Sequence, residues 1–194
     1  MKKLLVCIGI LLVMSGCSTT PPTPENRVVL QSEVVEAISI FKKVYPEIKY
    51  YFEQSAGYAV FPKVFKGALV AGGAYGRGEV FDKTGKIGYC SLSQATVGAS
   101  LGGEYFREII FFQDEYDLEK FKYNDFVFSA QMSAVAAKEG SAVKADYTEG
   151  TRVFVVADSG LMVDVSVGGQ QFSFVPLPRT TKAKDSQYSK SDVP

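Results

Sequence analysis

Apolar residues after position 31 recur at the spacing of a helix. They are Val34, Val35, Ile38, Phe41, Val44 and Tyr45, with polar and charged residues between them. Ser32 can cap such a helix, and Pro46 suits the first position of a second helix over residues 47–54. Gly57 then offers the left-handed conformation that ends a helix. The pattern predicts two short helices before the rest of the domain.

From Tyr58 onward, the pattern changes to short apolar runs separated by glycine, which is typical of β-strands. The predicted strands cover residues 58–61, 67–75, 78–81, 87–92, 95–105 and 107–113. The sequence Asp82-Lys83-Thr84-Gly85 predicts a hairpin turn that Gly85 closes with a positive φ.

The last part of the pattern predicts one more helix and further strands. Asp114 can cap a helix that contains Tyr116, Leu118 and Phe121, and residues 126–128 and 142–147 look extended. The clearest hairpin joins residues 151–157 to residues 161–167 through Asp158-Ser159-Gly160. Apolar and polar residues alternate along its second strand, as one buried face requires.

Glycines interrupt the predicted strands at positions 67, 72, 73, 76, 78, 88, 98, 102 and 103. Glycine weakens a strand, so its repeated use indicates places where strands bend or backbones approach closely. The predicted fold class is α+β: a strongly curved antiparallel β-sheet or small barrel-like domain preceded by two short N-terminal helices. This domain spans residues 32–176, and the polar residues 177–194 predict a disordered tail.

The N-terminal residues have the pattern of a bacterial signal peptide. Met1-Lys2-Lys3 is followed by an apolar run over residues 4–14, which is too short to cross a bilayer as a helix. Met14-Ser15-Gly16-Cys17 resembles a lipobox, although Met14 stands where that motif usually has leucine. We expect residues 1–16 to be a signal peptide and Cys17 to carry the lipid, including palmitate; an ordinary secreted protein cleaved nearby is the alternative.

The residues after Cys17 are polar and rich in proline, so residues 17–31 are predicted to form a lipidated N-terminus and flexible tether. Ser18, rather than Asp, follows the cysteine. By resemblance to the lipoprotein sorting rule, this predicts the periplasmic face of the outer membrane in a Gram-negative host. Loss of residues 1–16 leaves 19 basic and 21 acidic residues, a net charge of −2, which does not suggest a nucleic-acid partner.

Candidate catalytic groups are scarce. The chain has no histidine, and Cys90 is the one cysteine outside the signal and lipid positions, so no intramolecular disulfide is predicted. Cys90 lies in an apolar run and is interpreted as a small buried residue. Helix-start carboxylates explain the acidic cluster Asp114, Glu115, Asp117 and Glu119. We therefore predict no enzyme activity, no metal site and no cofactor.

The glycine-rich segment 72–78 suggests a phosphate loop, but Glu79-Val80-Phe81 follows it as a strand, and a dinucleotide site needs a helix there. Basic residues near predicted strand ends are more suggestive of anionic headgroups: Lys63, Lys66, Arg77, Lys83, Lys86 and Arg107. Lys63, Lys66 and Arg77 are the predicted ligand-binding residues, beside Phe61, Phe65 and Tyr75. A scattered charged surface and ordinary core packing are the alternatives for these two sets.

Gly57-Tyr58-Ala59-Val60-Phe61-Pro62-Lys63-Val64 and Gly72-Gly73-Ala74-Tyr75-Gly76-Arg77-Gly78 resemble motifs of the SYLF domain family. The resemblance spans about residues 33–175 and continues through residues 98–104, 108–112 and 159–166. It implies a lipid-binding module; eukaryotic members are linked to phosphoinositides and actin, and bacterial members are commonly secreted proteins or lipoproteins. Residues 89–92 and 136–140 depart from the family pattern, because they lack its Trp-Ser pair with proline and its Gly-Pro-Gly-Arg-like segment.

The predicted function is that of a noncatalytic envelope lipoprotein, anchored in the membrane through Cys17, whose domain binds lipid or an anionic amphiphile with a phosphoinositide-like headgroup. The alternative is a structural or interaction protein that docks on another envelope component, with a homo-oligomer as one form.

Overall fold

The computed structural model describes residues 19–68, 71–123, 127–129 and 150–178. For residues 68, 71, 96–101, 127–129 and 159–169 it describes the backbone alone. The elements in chain order are α1 (Pro24–Val44), α2 (Ile48–Gln54), β1 (Gly57–Ala68), β2 (Ala71–Asp82), β3 (Gly85–Phe112), α3 (Glu115–Lys122), β4 (Val127–Ser129) and β5 (Thr151–Pro176). The predicted signal peptide, Cys17, the predicted strand over 142–147 and residues 179–194 lie outside the described residues.

Helix α1 has 21 residues and begins well before the predicted start. The Thr23 hydroxyl accepts a hydrogen bond from the backbone N–H of Asn26, and Pro24 occupies the first helical position. Glu25 in the first turn and lysines in the last turn suit the helix dipole. The predicted cap at Ser32 is therefore wrong, and residues 24–31, which the sequence assigned to the tether, belong to the helix.

The link from α2 into the sheet also differs from the prediction. Helix α2 ends at Gln54 and β1 begins at Gly57, as expected. Gly57 does not have the predicted positive φ. A side chain at this position would instead place its Cβ 2.5 Å from the Phe81 carbonyl oxygen, so close backbone approach explains the glycine.

Strands β1 and β2 form a hairpin that lies between the two halves of β3. Residues 85–97 of β3 pair with β2, and residues 102–112 pair with β1. All these pairings are antiparallel, so the direction of β3 reverses between its two halves. Gly102 has a φ of 127° at this reversal, a conformation that favours glycine. The turn expected at Gly85 is confirmed by its φ of 122°.

Strand β5 pairs with β3 from Gly88↔Pro176 to Phe112↔Thr151. The predicted hairpin at Asp158-Ser159-Gly160 is therefore wrong, because β5 is one strand. Tyr105 pairs with Ser159 and Phe106 with Ala157, which leaves Asp158 as the extra residue of a β-bulge. Strand β4 pairs with β5, and the sheet is not closed into a barrel. The α+β class with an antiparallel sheet behind N-terminal helices is confirmed.

Each face of the sheet has its own hydrophobic core. On one face, Leu118 and Phe121 of α3 pack with strand residues that include Phe61 and Phe172; we call this the α3-side core. On the other face, α1 and α2 cover strand residues such as Phe111; this is the α1-side core. Asp114 caps α3 as predicted, since its carboxylate accepts a hydrogen bond from the Asp117 N–H at 3.0 Å.

Candidate ligand-binding groove

A groove of about 430 Å³ separates the first half of α1 from the sheet. The N-terminal segment and α1 contribute Pro21, Asn26, Val29, Leu30 and Glu33. The sheet contributes Pro62, Lys63, Phe65, Tyr75, Gly76, Arg77 and Tyr105. The groove thus combines cationic, aromatic and aliphatic side chains at the edge of the α1-side core.

Two of the three predicted ligand-binding residues meet in this groove. Lys63 and Arg77 are direct partners in the β1–β2 register, so both side chains project from the same face. Lys63 Nζ lies 4.9 Å from the centre of the Tyr105 ring, and Arg77 Cζ lies 5.8 Å from the centre of the Tyr75 ring. These distances permit cation–π attraction, which keeps each cation beside an aromatic surface.

Lys66 is not part of the groove lining among the described residues. It is three positions from Lys63, and side chains alternate between the two faces of a strand, so it belongs to the opposite face. Its register partners are Ala74, a member of the α3-side core, and Glu104. The structure therefore separates Lys66 from the other two predicted residues.

The predicted aromatic contacts divide in the same way. Phe61 is fully buried in the α3-side core. Phe65 is 48% exposed and lies 5.1 Å from the Tyr105 ring, centre to centre. A Cβ at Gly67 would come within 3.1 Å of the Phe65 ring, so the glycine makes room for it. Phe65 and Tyr105 give the groove an accessible apolar wall.

The other basic residues named from the sequence form hydrogen bonds or ion pairs outside the groove. Lys83 Nζ donates a hydrogen bond to the Glu53 carbonyl at 2.8 Å, and Lys86 Nζ donates to Glu79 Oε1 at the same distance. Arg107 pairs with Asp158 of the bulge at 2.6 Å. The groove lining contains the cations Lys63 and Arg77 and the carboxylate Glu33, which gives it a net positive charge.

The segment before α1 forms one wall of the groove. The hydroxyls of Thr19 and Ser91 lie 2.9 Å apart, which attaches this segment to β3. Pro21 is buried, and its carbonyl accepts a hydrogen bond from Arg27 Nε at 3.4 Å. The segment that the sequence assigned to a tether is thus attached to the sheet at Thr19 and to α1 at Pro21.

Two carboxyl groups are buried in the sheet, apart from the groove. Lys86 neutralises Glu79. Glu108 is 1% exposed; its Oε2 accepts a hydrogen bond from Gln170 Nε2 at 3.2 Å, and its Oε1 has no hydrogen-bond partner. Burial raises the pKa of Glu108 from 4.5 to about 7, and the bond from Gln170 opposes the rise.

Cys90 is buried, as predicted, and belongs to the α3-side core. Burial raises the pKa of its thiol, and the carboxylates of Glu79 and Glu108 raise it further. A thiol in this environment stays protonated and inaccessible, so Cys90 is unsuited to nucleophilic chemistry. Across the described ranges, no three Cys, Asp or Glu side chains are grouped closely enough to hold a metal ion.

Sequence reasoning missed Tyr105 and the α1 residues of the groove. The signal for α1 was present, because Thr23-Pro24-Glu25 combines a capping residue, a proline at the first position and an acid in the first turn. The prolines and threonines of the same segment also fit a flexible tether, which is why the composition alone did not indicate a helix. For Tyr105, the signal is its alternation with Arg107 and Ile109, but these residues fall on two separate predicted strands, 95–105 and 107–113.

No helix in the described part of the chain is both long enough and apolar enough to cross a membrane. The chain is similar to a protein of Aeromonas veronii named "Beta cell expansion factor A", with 26% identity over 149 residues. The match covers 76% of this chain and 57% of that protein, so the chain spans less than two thirds of the relative's length. No family model matches the chain.

Proposed function

We propose that this chain is a noncatalytic envelope lipoprotein with a SYLF-like domain that binds an anionic amphiphile in the groove. The supporting observation is the cross-strand pair of Lys63 and Arg77 beside the accessible Phe65 ring. A bound lipid places its phosphate between the two cations and its first methylenes against Phe65 and Tyr105. The groove lining offers positive charge and apolar surface, which suit the binding of a lipid without a chemical reaction.

The two cations have different tasks in this proposal. Arg77 presents a planar group that can donate two parallel hydrogen bonds to one phosphate, whereas Lys63 acts as a point charge. Glu33 on the opposite wall repels the anion and favours a position close to the sheet. Headgroups with more than one negative charge should therefore bind more tightly than zwitterionic headgroups.

The cellular setting rests on the sequence. The lipobox-like residues before Cys17 support lipid anchoring, and Ser18 supports the periplasmic face of the outer membrane. The resemblance to SYLF domains supports the lipid-binding class, and the similarity to the Aeromonas protein extends over most of the chain. Palmitate at Cys17 and a location in the Gram-negative envelope are parts of the same proposal.

Paired charge reversals test the groove. We expect Lys63→Glu/Arg77→Glu to lose at least tenfold in affinity for vesicles that contain phosphatidylglycerol, measured by co-sedimentation of the unacylated domain with excess lipid. The control is Lys49→Glu/Lys66→Glu, which makes the same change in charge at an exposed residue of α2 and on the opposite face of β1. Equal loss in both variants would mean that net charge, rather than the groove, governs binding.

A protein partner remains the second candidate, because α1 exposes apolar side chains. Val28 is 67% exposed and Val35 is 64% exposed, and residues seven apart lie on the same side of a helix. Such a stripe suits docking on another envelope protein or on a second copy. A stable oligomer without copurified lipid, seen by light scattering and native mass spectrometry, would favour this candidate over the groove.

A further inference from the structure

We propose that the groove docks in cis, on the headgroup layer of the same bilayer that holds the Cys17 anchor. This inference rests on the proposed function, since it requires an acylated Cys17 and headgroup contact by the groove. It adds the orientation of the domain and the source of the lipid. The partner is the anionic surface at the base of the protein's own tether, rather than a lipid taken from elsewhere.

The first observation is the short length of chain between the anchor and the sheet. The Thr19–Ser91 contact at 2.9 Å holds the chain two positions after Cys17. Two extended residues reach at most about 7 Å. A flexible tether over residues 17–31 would instead have an average reach of about 20 Å and would leave the orientation of the domain open.

The second observation is the place on the sheet where this short connection to the anchor is attached. Ser91 of β3 is the register partner of Arg77 of β2, and Arg77 is the register partner of Lys63 of β1. The three residues form a row across one face, and adjacent strands are about 4.8 Å apart. Thr19 is therefore attached within about 10 Å of the backbone of both groove cations. The anchor at Cys17 can lie at most about 7 Å further away along the chain.

The third observation is the exposed apolar surface near this exit. Phe65 is 48% exposed and Val29 is 56% exposed, and both line the groove. Cations beside a partly exposed aromatic ring suit the boundary between headgroups and acyl chains. An anchor that holds these groups at the surface makes headgroup contact an intramolecular event with a high effective concentration.

Depth measurements on the acylated full-length protein test the orientation. A fluorophore is attached at Val28→Cys, next to the groove residue Val29, or at Tyr116→Cys on α3, which packs on the other side of the sheet. Both positions are exposed, whereas Cys90 is buried and will not be labelled. In vesicles of phosphatidylethanolamine and phosphatidylglycerol, nitroxide lipids should quench the probe at position 28 at least threefold more than the probe at position 116.

A ten-residue Gly-Ser insertion between Ser18 and Thr19 provides the matched perturbation. It lengthens the connection between the anchor and Thr19 from two residues to twelve. Because effective concentration falls roughly as the −3/2 power of linker length, the ratio of docked to undocked protein should fall roughly 15-fold. Equal quenching at both positions, or quenching that the insertion leaves unchanged, overturns docking in cis. So does a mature N-terminus without acyl groups by mass spectrometry. The missing acyl groups would also overturn the lipoprotein part of the proposed function, whereas the two quenching results would not. In every case the vesicle binding of the unacylated domain decides separately whether the groove binds lipid.

Discussion

Glu108→Gln should stabilise the protein above neutral pH and should have little effect in weak acid. The Glu108 carboxyl is 1% exposed, and its register partner Phe61 places it on the side of the α3-side core. Its pKa is raised by burial to about 7, whereas the ordinary value that we assign to the unfolded chain is 4.5. Each unit of difference corresponds to about 1.4 kcal/mol, so the full effect is about 3 kcal/mol.

The sign follows from the number of protons bound in each state. Below pH 4.5 the carboxyl is neutral in both states, and it contributes no penalty. Between pH 4.5 and about 7 the unfolded chain releases the proton while the folded protein keeps it, so stability falls as the pH rises. Above about pH 7 both states are ionised, and the folded state bears the whole cost of a buried charge.

Glutamine has the shape of the protonated acid, and its carbonyl can still accept the hydrogen bond from Gln170. Urea unfolding of both proteins at pH 5 and pH 8 measures the effect, with exposed Glu53→Gln as the control. We expect the variant to gain about 2.5 kcal/mol over the wild type between the two conditions, because the unfolded chain has already released most of this proton at pH 5. A gain that is the same at both pH values, or a wild type that is more stable at pH 8, would refute this account of Glu108.

Two further substitutions test the local structure. Glu79→Gln should lower the free energy of unfolding by about 1–2 kcal/mol at neutral pH, measured with urea. The reason is that it removes the ionic partner of Lys86, whose side chain is 21% exposed. An unchanged stability would mean that the ion pair contributes nothing. Thr23→Ala should cost about 1 kcal/mol in the same assay because it removes the cap of α1, and Ser32→Ala, inside the helix, should cost nothing. A larger cost at Ser32 than at Thr23 would place the start of the helix where the sequence pattern first suggested.

Part of the fold could be predicted from sequence signals that act over only a few residues. The cap at Asp114 and the turn at Gly85 depend on side-chain and φ preferences that operate locally, and both were predicted. The Asp158-Ser159-Gly160 segment has the composition of a turn, but a bulge has the same composition. Its conformation is decided by pairing with β3 and by the ion pair with Arg107, which local composition does not encode.

Which face of β1 carries each lysine depends on an irregularity that the sequence does not reveal. The register of β1 shifts against β2 between Val60 and Lys63, so alternation cannot be counted across this point. After the shift, Lys63 shares a face with Arg77, and Lys66 projects to the other side. The bulge thus sets the face on which Lys63 lies, and alternation after the bulge places Lys66 on the other face.

The binding strength expected of the groove is low enough that a membrane anchor would change its occupancy. Two basic residues near an anionic surface contribute about 2 kcal/mol, and burial of a half-exposed phenylalanine adds about 1–2 kcal/mol. A total near 4 kcal/mol corresponds to a dissociation constant in the millimolar range, before the repulsion from Glu33 is included. A free domain with this affinity would be mostly unbound at low lipid concentration. The same groove held close to a bilayer by a two-residue connection would be mostly docked, so the proposal predicts weak binding in solution together with a stable orientation on the membrane.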